Sequence, residues 1–184
     1  EALDLLDSAC SALRESRTPA AAWGQVPARR GLALQSVGRR EEARASFQEA
    51  VAVALEAGDV RQQVVARIQL CGLWLAEEQL GAALQELDVL AALPLSRLSP
   101  ALVATLEEVR ADAWSRKGEG DAAREALARA LPIRQAAGNR SALGRWYLLL
   151  AQVDRRDRRT EVIEGSLTTE LTLSRLARDR RTEA

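Results

Sequence analysis

The sequence predicts an all-helical protein built from repeated helix pairs, and three observations support this prediction. The 184 residues are 47% apolar and rich in alanine, leucine, arginine and glutamate, which are strong helix formers. Valine and isoleucine seldom alternate with polar residues, so no strand pattern emerges. A framework of small and large residues recurs with a period of 40, which is the signature of a repeat architecture.

The clearest repeat unit begins at Arg30 and combines small and large side chains at helical spacing. Its framework residues are Gly31, Leu34, Gly38, Glu42, Ala43, Phe47 and Ala50. Steps of one period reach two equivalent sets, which are Cys71, Trp74, Glu78, Ala82, Ala83, Leu87 and Leu90, and then Ala111, Trp114, Gly118, Ala122, Ala123, Leu127 and Ala130. A third step reaches Ala151, Ile163 and Leu167 but places Asp154 where an aromatic residue is expected. The small residues predict close helix contacts in each unit.

This framework resembles the tetratricopeptide repeat. In that family the first helix carries a small residue and then a large one three positions later, and the second carries alanine, a large residue and alanine, as at Ala43, Phe47 and Ala50. The resemblance implies a right-handed α-solenoid of antiparallel helix pairs, with about nine helices here. The period of 40 exceeds the usual 34 or so. Longer repeats of this kind are similar to those of large bacterial signalling and transcriptional regulators and of kinesin light chains.

The helix boundaries follow from caps, glycines and prolines along the chain. The predicted helices span residues 2–14, 19–37, 41–57, 60–77, 80–93, 100–117, 121–137, 141–153 and 160–178. Pro27 should kink or restart the second of them.

The predicted organisation is one solenoid domain over residues 1–184. It comprises the second helix of a truncated unit (1–17), three full repeats (18–58, 59–98 and 99–138) and a degenerate C-terminal repeat or cap (139–184). Because the chain opens inside a helical pattern and lacks methionine, we expect a fragment of a longer protein.

Catalysis is not expected from this composition. The chain has no histidine, which removes the commonest general base, the usual nucleophile pairs and most zinc sites. No glycine-rich phosphate loop is present, and the carboxylates Glu107, Glu108 and Asp112 are more typical of surface or groove charge than of an acid–base pair. We therefore predict a non-enzyme with no cofactor and no metal site.

Charge and cysteine content limit which classes of partner and which cellular compartment are expected. The net charge is zero, with 26 acidic and 26 basic residues, which argues against a nucleic acid or a membrane surface as partner. No apolar run approaches the length of a membrane span. Cys10 and Cys71 have no metal-type spacing and are expected to be free thiols, as in a cytoplasmic protein.

The resemblance implies that partners bind the inner, concave groove lined by the first helix of each pair. The residues placed near that surface are Gln25, Arg29, Leu32, Gln69, Gly72, Glu108, Asp112, Arg145 and Gln152. A merely solvated face is the alternative. Trp23, Trp146 and Tyr147 fall outside the repeat pattern and would be binding hot spots if exposed.

Three functions are compatible with these patterns. The leading hypothesis is a protein- or peptide-binding scaffold, such as the sensor or interaction part of a bacterial regulator. The alternative is a self-association module, in which Leu3, Leu6 and Leu13 of the terminal helix contact a second copy in a homodimer. A small-ligand sensor is the third hypothesis, although no specific residue supports it.

Overall fold

The computed structural model describes residues 2–16 and 19–157, and all regular structure in these ranges is helical, without a strand. The helices are α1 (Ala2–Glu15), α2 (Ala20–Trp23), α3 (Val26–Ser36), α4 (Arg40–Glu56), α5 (Val60–Ala76), α6 (Leu80–Ala91), α7 (Pro100–Lys117), α8 (Gly120–Ala136) and α9 (Arg140–Arg156), with a 3₁₀ turn at Leu95–Arg97. The all-helical prediction is confirmed for these ranges. The predicted helix at 160–178, with Ile163 and Leu167, lies outside them. None of the helices described is both long and apolar enough to cross a bilayer.

The predicted helix at 19–37 is two helices. α2 ends at Trp23, and α3 restarts at Val26 with Pro27 in its first turn. Proline fits the first turn because its missing N–H would have no partner there in any case. The restart that Pro27 predicted is therefore confirmed, and it creates a helix junction at Gly24 and Gln25.

The chain divides into two compact units, Glu1–Arg97 and Leu98–Ala184, called here the first and the second unit. In the first unit, successive helices from α3 to α6 pack on one another, α1 packs on α3 and α2 on α4. Arg30 donates to Asp7, and Arg14 binds Glu49, so ion pairs fasten α1 to α3 and α4. In the second unit, described up to residue 157, α8 packs against α7 and α9, and α7 also contacts α9.

The recurring alanine and the large residue that follows it in the second helix of each pair are buried in both units. Ala43, Ala83 and Ala123 are all completely inaccessible to solvent. The large residues that follow them, Phe47, Leu87 and Leu127, are also buried. Each side chain therefore contributes the free energy of apolar burial at an equivalent place in its helix pair.

Equivalent turns join the helices of each pair. Gly38, Glu78 and Gly118, which lie one period apart, all adopt the left-handed conformation, with φ of 79°, 59° and 89°. In each turn the following N–H donates to a carbonyl five residues earlier, as Gln79 does to Trp74 at 2.8 Å. This is the Schellman arrangement, which satisfies the free carbonyls at a helix C-terminus.

Among the three equivalent turn residues Gly38, Glu78 and Gly118, Glu78 is the one that is not glycine, so its Cβ makes the left-handed conformation unfavourable. Because a Cβ destabilises the left-handed region, we expect Glu78→Gly to raise the free energy of unfolding by about 1 kcal/mol. Urea denaturation would measure the change. Glu41→Gly, at an exposed site in the first turn of α4, is the matched control and should destabilise by a similar amount. Destabilisation by both changes would contradict the prediction.

Both cysteines are free and buried in the described structure. Burial raises the pKa of Cys71 to about 12 from 9.0, and the nearby Glu86 charge adds to this effect. We expect Cys71 to resist iodoacetamide at pH 8 until the protein unfolds, because the thiolate is the reactive species. Mass spectrometry of the labelled peptides would check this, and rapid labelling of Cys71 in native buffer would contradict it.

The same shift predicts a pH dependence of stability. The unfolded thiol ionises near pH 9, whereas the folded one stays protonated up to about pH 12. The contribution of Cys71 is therefore complete below pH 9 and is lost as the pH rises from 9 towards 12. Urea denaturation at pH 8 and at pH 10 would check this. We expect the free energy of unfolding to fall less between the two pH values in Cys71→Ala than in the wild type, because the variant lacks the thiol.

Candidate partner-binding site

A cavity of about 340 Å³ lies in the first unit, where the α2–α3 junction faces the α4–α5 turn. Helix ends form both sides of this cavity. Its lining residues, apolar and polar, are Ala20, Trp23, Gly24, Gln25, Val26, Arg29, Ala54, Ala57, Asp59 and Gln62. Three of them, Trp23, Gln25 and Arg29, are residues that the sequence singled out for partner binding.

The α2–α3 side supplies the indole, an amide and a cation. Trp23 is the last residue of α2 and is half-buried. Gln25 is exposed at the N-cap of α3, and its carbonyl accepts from the N–H of Arg29 at 3.1 Å. Within the described ranges, the exposed guanidinium of Arg29 forms no ion pair. It is therefore available to an external anion.

The α4–α5 side supplies two polar residues that sequence reasoning missed, Asp59 and Gln62. Gly58 ends α4 in the left-handed conformation, and Asp59 caps α5. The Asp59 carboxylate accepts from the backbone N–H of Gln62 at 2.9 Å. The sequence Gly-Asp between two helical patterns is an N-cap signature, which could have located both residues but not the facing junction.

The remaining predicted groove residues are not among those that line this cavity. In the first unit, Leu32 is exposed, and Gln69 and Gly72 are half-buried in α5. In the second unit, Arg145 is exposed on α9, where it donates to Ser141 at 3.3 Å, and Gln152 is half-buried on the same helix. The concave groove itself stays a prediction.

The two acidic groove residues of the second unit are bound by arginines of that unit. Glu108 holds Arg134 through both carboxylate oxygens, at 2.6 and 2.9 Å. Asp112 accepts from Arg116 at 3.0 Å and from Arg156 at 2.9 Å. Their charges are therefore largely neutralised within the unit, so reversing either charge would disturb the fold as well as any binding.

Two of the three suspected hot spots belong to the second unit and pack against its core. Trp146 is 5% exposed, and its indole N–H donates to the carbonyl of Leu127 at 2.9 Å. Tyr147 meets Trp146 edge-on, with ring centroids 4.9 Å apart. A hot spot must be exposed, and Trp146 therefore does not qualify because it is buried. Trp23, in contrast, lines the cavity.

A second polar cluster surrounds Arg124 in the second unit. Its guanidinium binds Asp121 at 2.8 Å, Asp157 at 2.6 Å and the fully buried Asp154 at 3.1 Å. Burial opposes the charge of Arg124, but hydrogen bonds to Asp121, Asp157 and Asp154 outweigh it and raise the pKa. The arginine is thus fixed in its charged form.

The first unit has an equivalent cluster two periods earlier in the chain. Arg44 lies over the ring of Trp74, 4.5 Å from its centroid, and binds Glu77 at 2.6 Å. Two steps of the period lead from these positions to Arg124, Asp154 and Asp157. Asp154, unexpected from the repeat pattern, therefore replaces a cation–π contact with a buried ion pair.

These side chains are not arranged as a metal centre. Among the described residues, no group of three or more cysteine and acidic side chains could hold a metal ion. Glu107, which is 5% exposed, is bound by Arg110 at 2.6 Å and Arg129 at 2.9 Å. Glu107 is thus bound by arginines, and the cavity at Trp23 is the best candidate for binding a partner.

The comparisons with known proteins assign no family. No protein-family model matches the chain, and no curated protein matches it at a significant level.

Proposed function

We propose that this chain is a non-catalytic scaffold that binds a protein or peptide. The observation that carries the proposal is the cavity of the first unit, where Trp23, Gln25 and Arg29 lie together. Tryptophan and arginine contribute most to binding energy in protein interfaces. A half-buried indole is also partly ordered before binding, which reduces the entropy cost of association.

The repeat supports the same proposal. Helix pairs with equivalent buried frameworks and equivalent turns are what a tetratricopeptide-like, right-handed α-solenoid requires. We propose this architecture for the chain. Such solenoids present extended surfaces that bind other chains, as in the interaction part of a bacterial regulator.

Selection from a random heptapeptide library tests the proposal. The peptides would be displayed at the N-terminus of a phage coat protein and selected on the immobilised chain. We expect enriched clones whose binding is lost with Trp23→Leu and retained with Val89→Ser, an exposed apolar site on α6. Circular dichroism would establish that both variants fold. No enrichment, or clones indifferent to Trp23, would contradict the proposal.

Self-association has less support. Leu3 packs against the core of the first unit, and Leu6 and Leu13 are half-buried. Leu5 is 68% exposed, but single exposed leucines are ordinary on protein surfaces. A concentration-dependent mass by light scattering, abolished by Leu5→Ser, would favour the homodimer over the scaffold.

A further inference from the structure

We infer that the cavity of the first unit takes an aspartate or glutamate side chain of the bound peptide. The inference rests on the proposed function and names the chemistry of its partner. Arg29 carries it because this cation lines the cavity and has no ion-pair partner within the described ranges. The paired arginines of the same unit are Arg14, Arg30, Arg39, Arg44 and Arg67.

Asp59 is the acidic residue of the cavity lining, and its charge is already engaged. Its carboxylate caps α5 through the N–H of Gln62. The N-terminus of that helix carries a partial positive charge, which offsets the carboxylate. Of the two charged side chains in the lining, Arg29 is therefore the one without such a contact, and charge complementarity favours an acidic ligand beside it.

The other residues that line the cavity indicate which peptide groups should bind beside the carboxylate. Gln25 and Gln62 bring amide side chains that can bind a peptide backbone. Trp23, Ala54 and Ala57 add apolar surface beside them. An acidic residue next to an apolar one in an extended peptide matches this combination of cation, amides and indole.

The heptapeptide selection described above tests the inference when it is repeated on charge variants. The display format leaves no free peptide C-terminus, so any carboxylate must come from a side chain. We expect aspartate or glutamate beside an apolar residue in the clones selected on the wild type. Selection on Arg29→Glu should replace these acids with lysine or arginine.

Synthetic peptides with blocked termini give the quantitative test. Replacing the acidic residue by its amide should weaken binding to the wild type roughly tenfold or more, and should leave binding to Arg29→Gln unchanged. Asp59→Asn keeps a capping side chain and removes the opposing charge, so acidic peptides should bind this variant more tightly.

Arg40→Glu is the matched control. Arg40 is an exposed arginine at the start of α4, about 20 Å along that helix from Ala54. The control should leave acidic-peptide binding within a factor of two or so at moderate salt, because screening weakens distant charges. Thermal denaturation would establish that the variants fold.

The outcomes separate the inference from the proposed function. Clones that need Trp23 but carry no acidic residue, or whose amide versions bind equally well, would overturn the inference and leave the scaffold standing. Equal losses for Arg29→Glu and Arg40→Glu would also overturn it, because the effect would then be one of net charge. If no peptide is enriched at all, the proposed function fails first.

Discussion

Arg124→Met is expected to lower the free energy of unfolding by about 3–5 kcal/mol, because it leaves the buried Asp154 carboxylate without a counter-charge. Asp154 is completely inaccessible, and its Oδ1 is held by Arg124 at 3.1 Å. Its Oδ2 is also buried and has no hydrogen-bond partner in the described structure. The carboxylate therefore depends on this one arginine.

Replacing Asp154, the other member of this ion pair, should lower the free energy of unfolding far less than replacing Arg124. In Asp154→Leu, Arg124 keeps Asp121 and Asp157, and the buried oxygen without a partner disappears. We expect a change within about 1 kcal/mol, since apolar replacement of a buried charge is often neutral or stabilising. Leucine also restores the residue that Leu34 places at the equivalent position of the repeat.

Urea denaturation of the two single variants and of Arg124→Met/Asp154→Leu measures this asymmetry. The double variant should recover most of the stability lost by Arg124→Met, because the unpaired charge is gone. Equal losses for the two single variants, without recovery in the double, would contradict the dependence of Asp154 on Arg124. The matched surface control is Arg39→Met, which breaks the exposed pair with Glu42 and should cost far less than Arg124→Met, because solvent screens exposed ion pairs.

Gly31→Ala should also destabilise the protein, by about 1–3 kcal/mol, because the added methyl group overpacks the first unit. A Cβ at Gly31 would lie 2.5 Å from Cε1 of Phe47. The phenylalanine ring is completely buried, so it cannot move aside without disturbing other core residues. Gly31→Val should be worse, since it adds two more methyl groups.

Gly72→Ala is the matched control for this effect. Gly72 lies within α5, and a Cβ there would meet nothing within 4 Å. Alanine should therefore stabilise the helix by up to about 1 kcal/mol, because glycine has a poor helix propensity. Opposite signs for the two substitutions would establish close packing at Gly31, whereas stabilisation by both alanines would contradict close packing there. Phe47→Leu combined with Gly31→Ala should relieve part of the destabilisation.

Spacing alone identified much of the buried framework. A residue that recurs on the same face of equivalent helices meets an equivalent neighbour, so Ala43, Ala83 and Ala123 were predicted to pack closely, and all three are fully buried. The turns were similarly readable at Gly38 and Gly118, because glycine tolerates the left-handed backbone. Glu78 adopts the same conformation without that signal, so only its place in the repeat pointed to the turn.

The candidate site was only partly predictable. Gln25 and Arg29 were singled out by helical position, and Trp23 because it fell outside the repeat pattern. Their meeting with Asp59 and Gln62 depends on the break between α2 and α3 and on the facing turn. Glu108 and Asp112 were expected to offer negative charge, yet Arg134, Arg116 and Arg156 occupy both carboxylates. Arg116 pairs with Asp112 within α7, but Arg134 and Arg156 come from other helices, and no local pattern specifies those two pairs.

By itself, the sequence determined the helical class of the described residues, the equivalent turns and the apolar faces, because propensity and periodicity act over one helix at a time. The tertiary structure alone decided which charges are neutralised, that Trp146 is buried while Trp23 lines a cavity, and that Asp154 finds its counter-charge on another helix, at Arg124. These outcomes depend on how helices pack against one another, and side chains brought together in that way are distant in the chain.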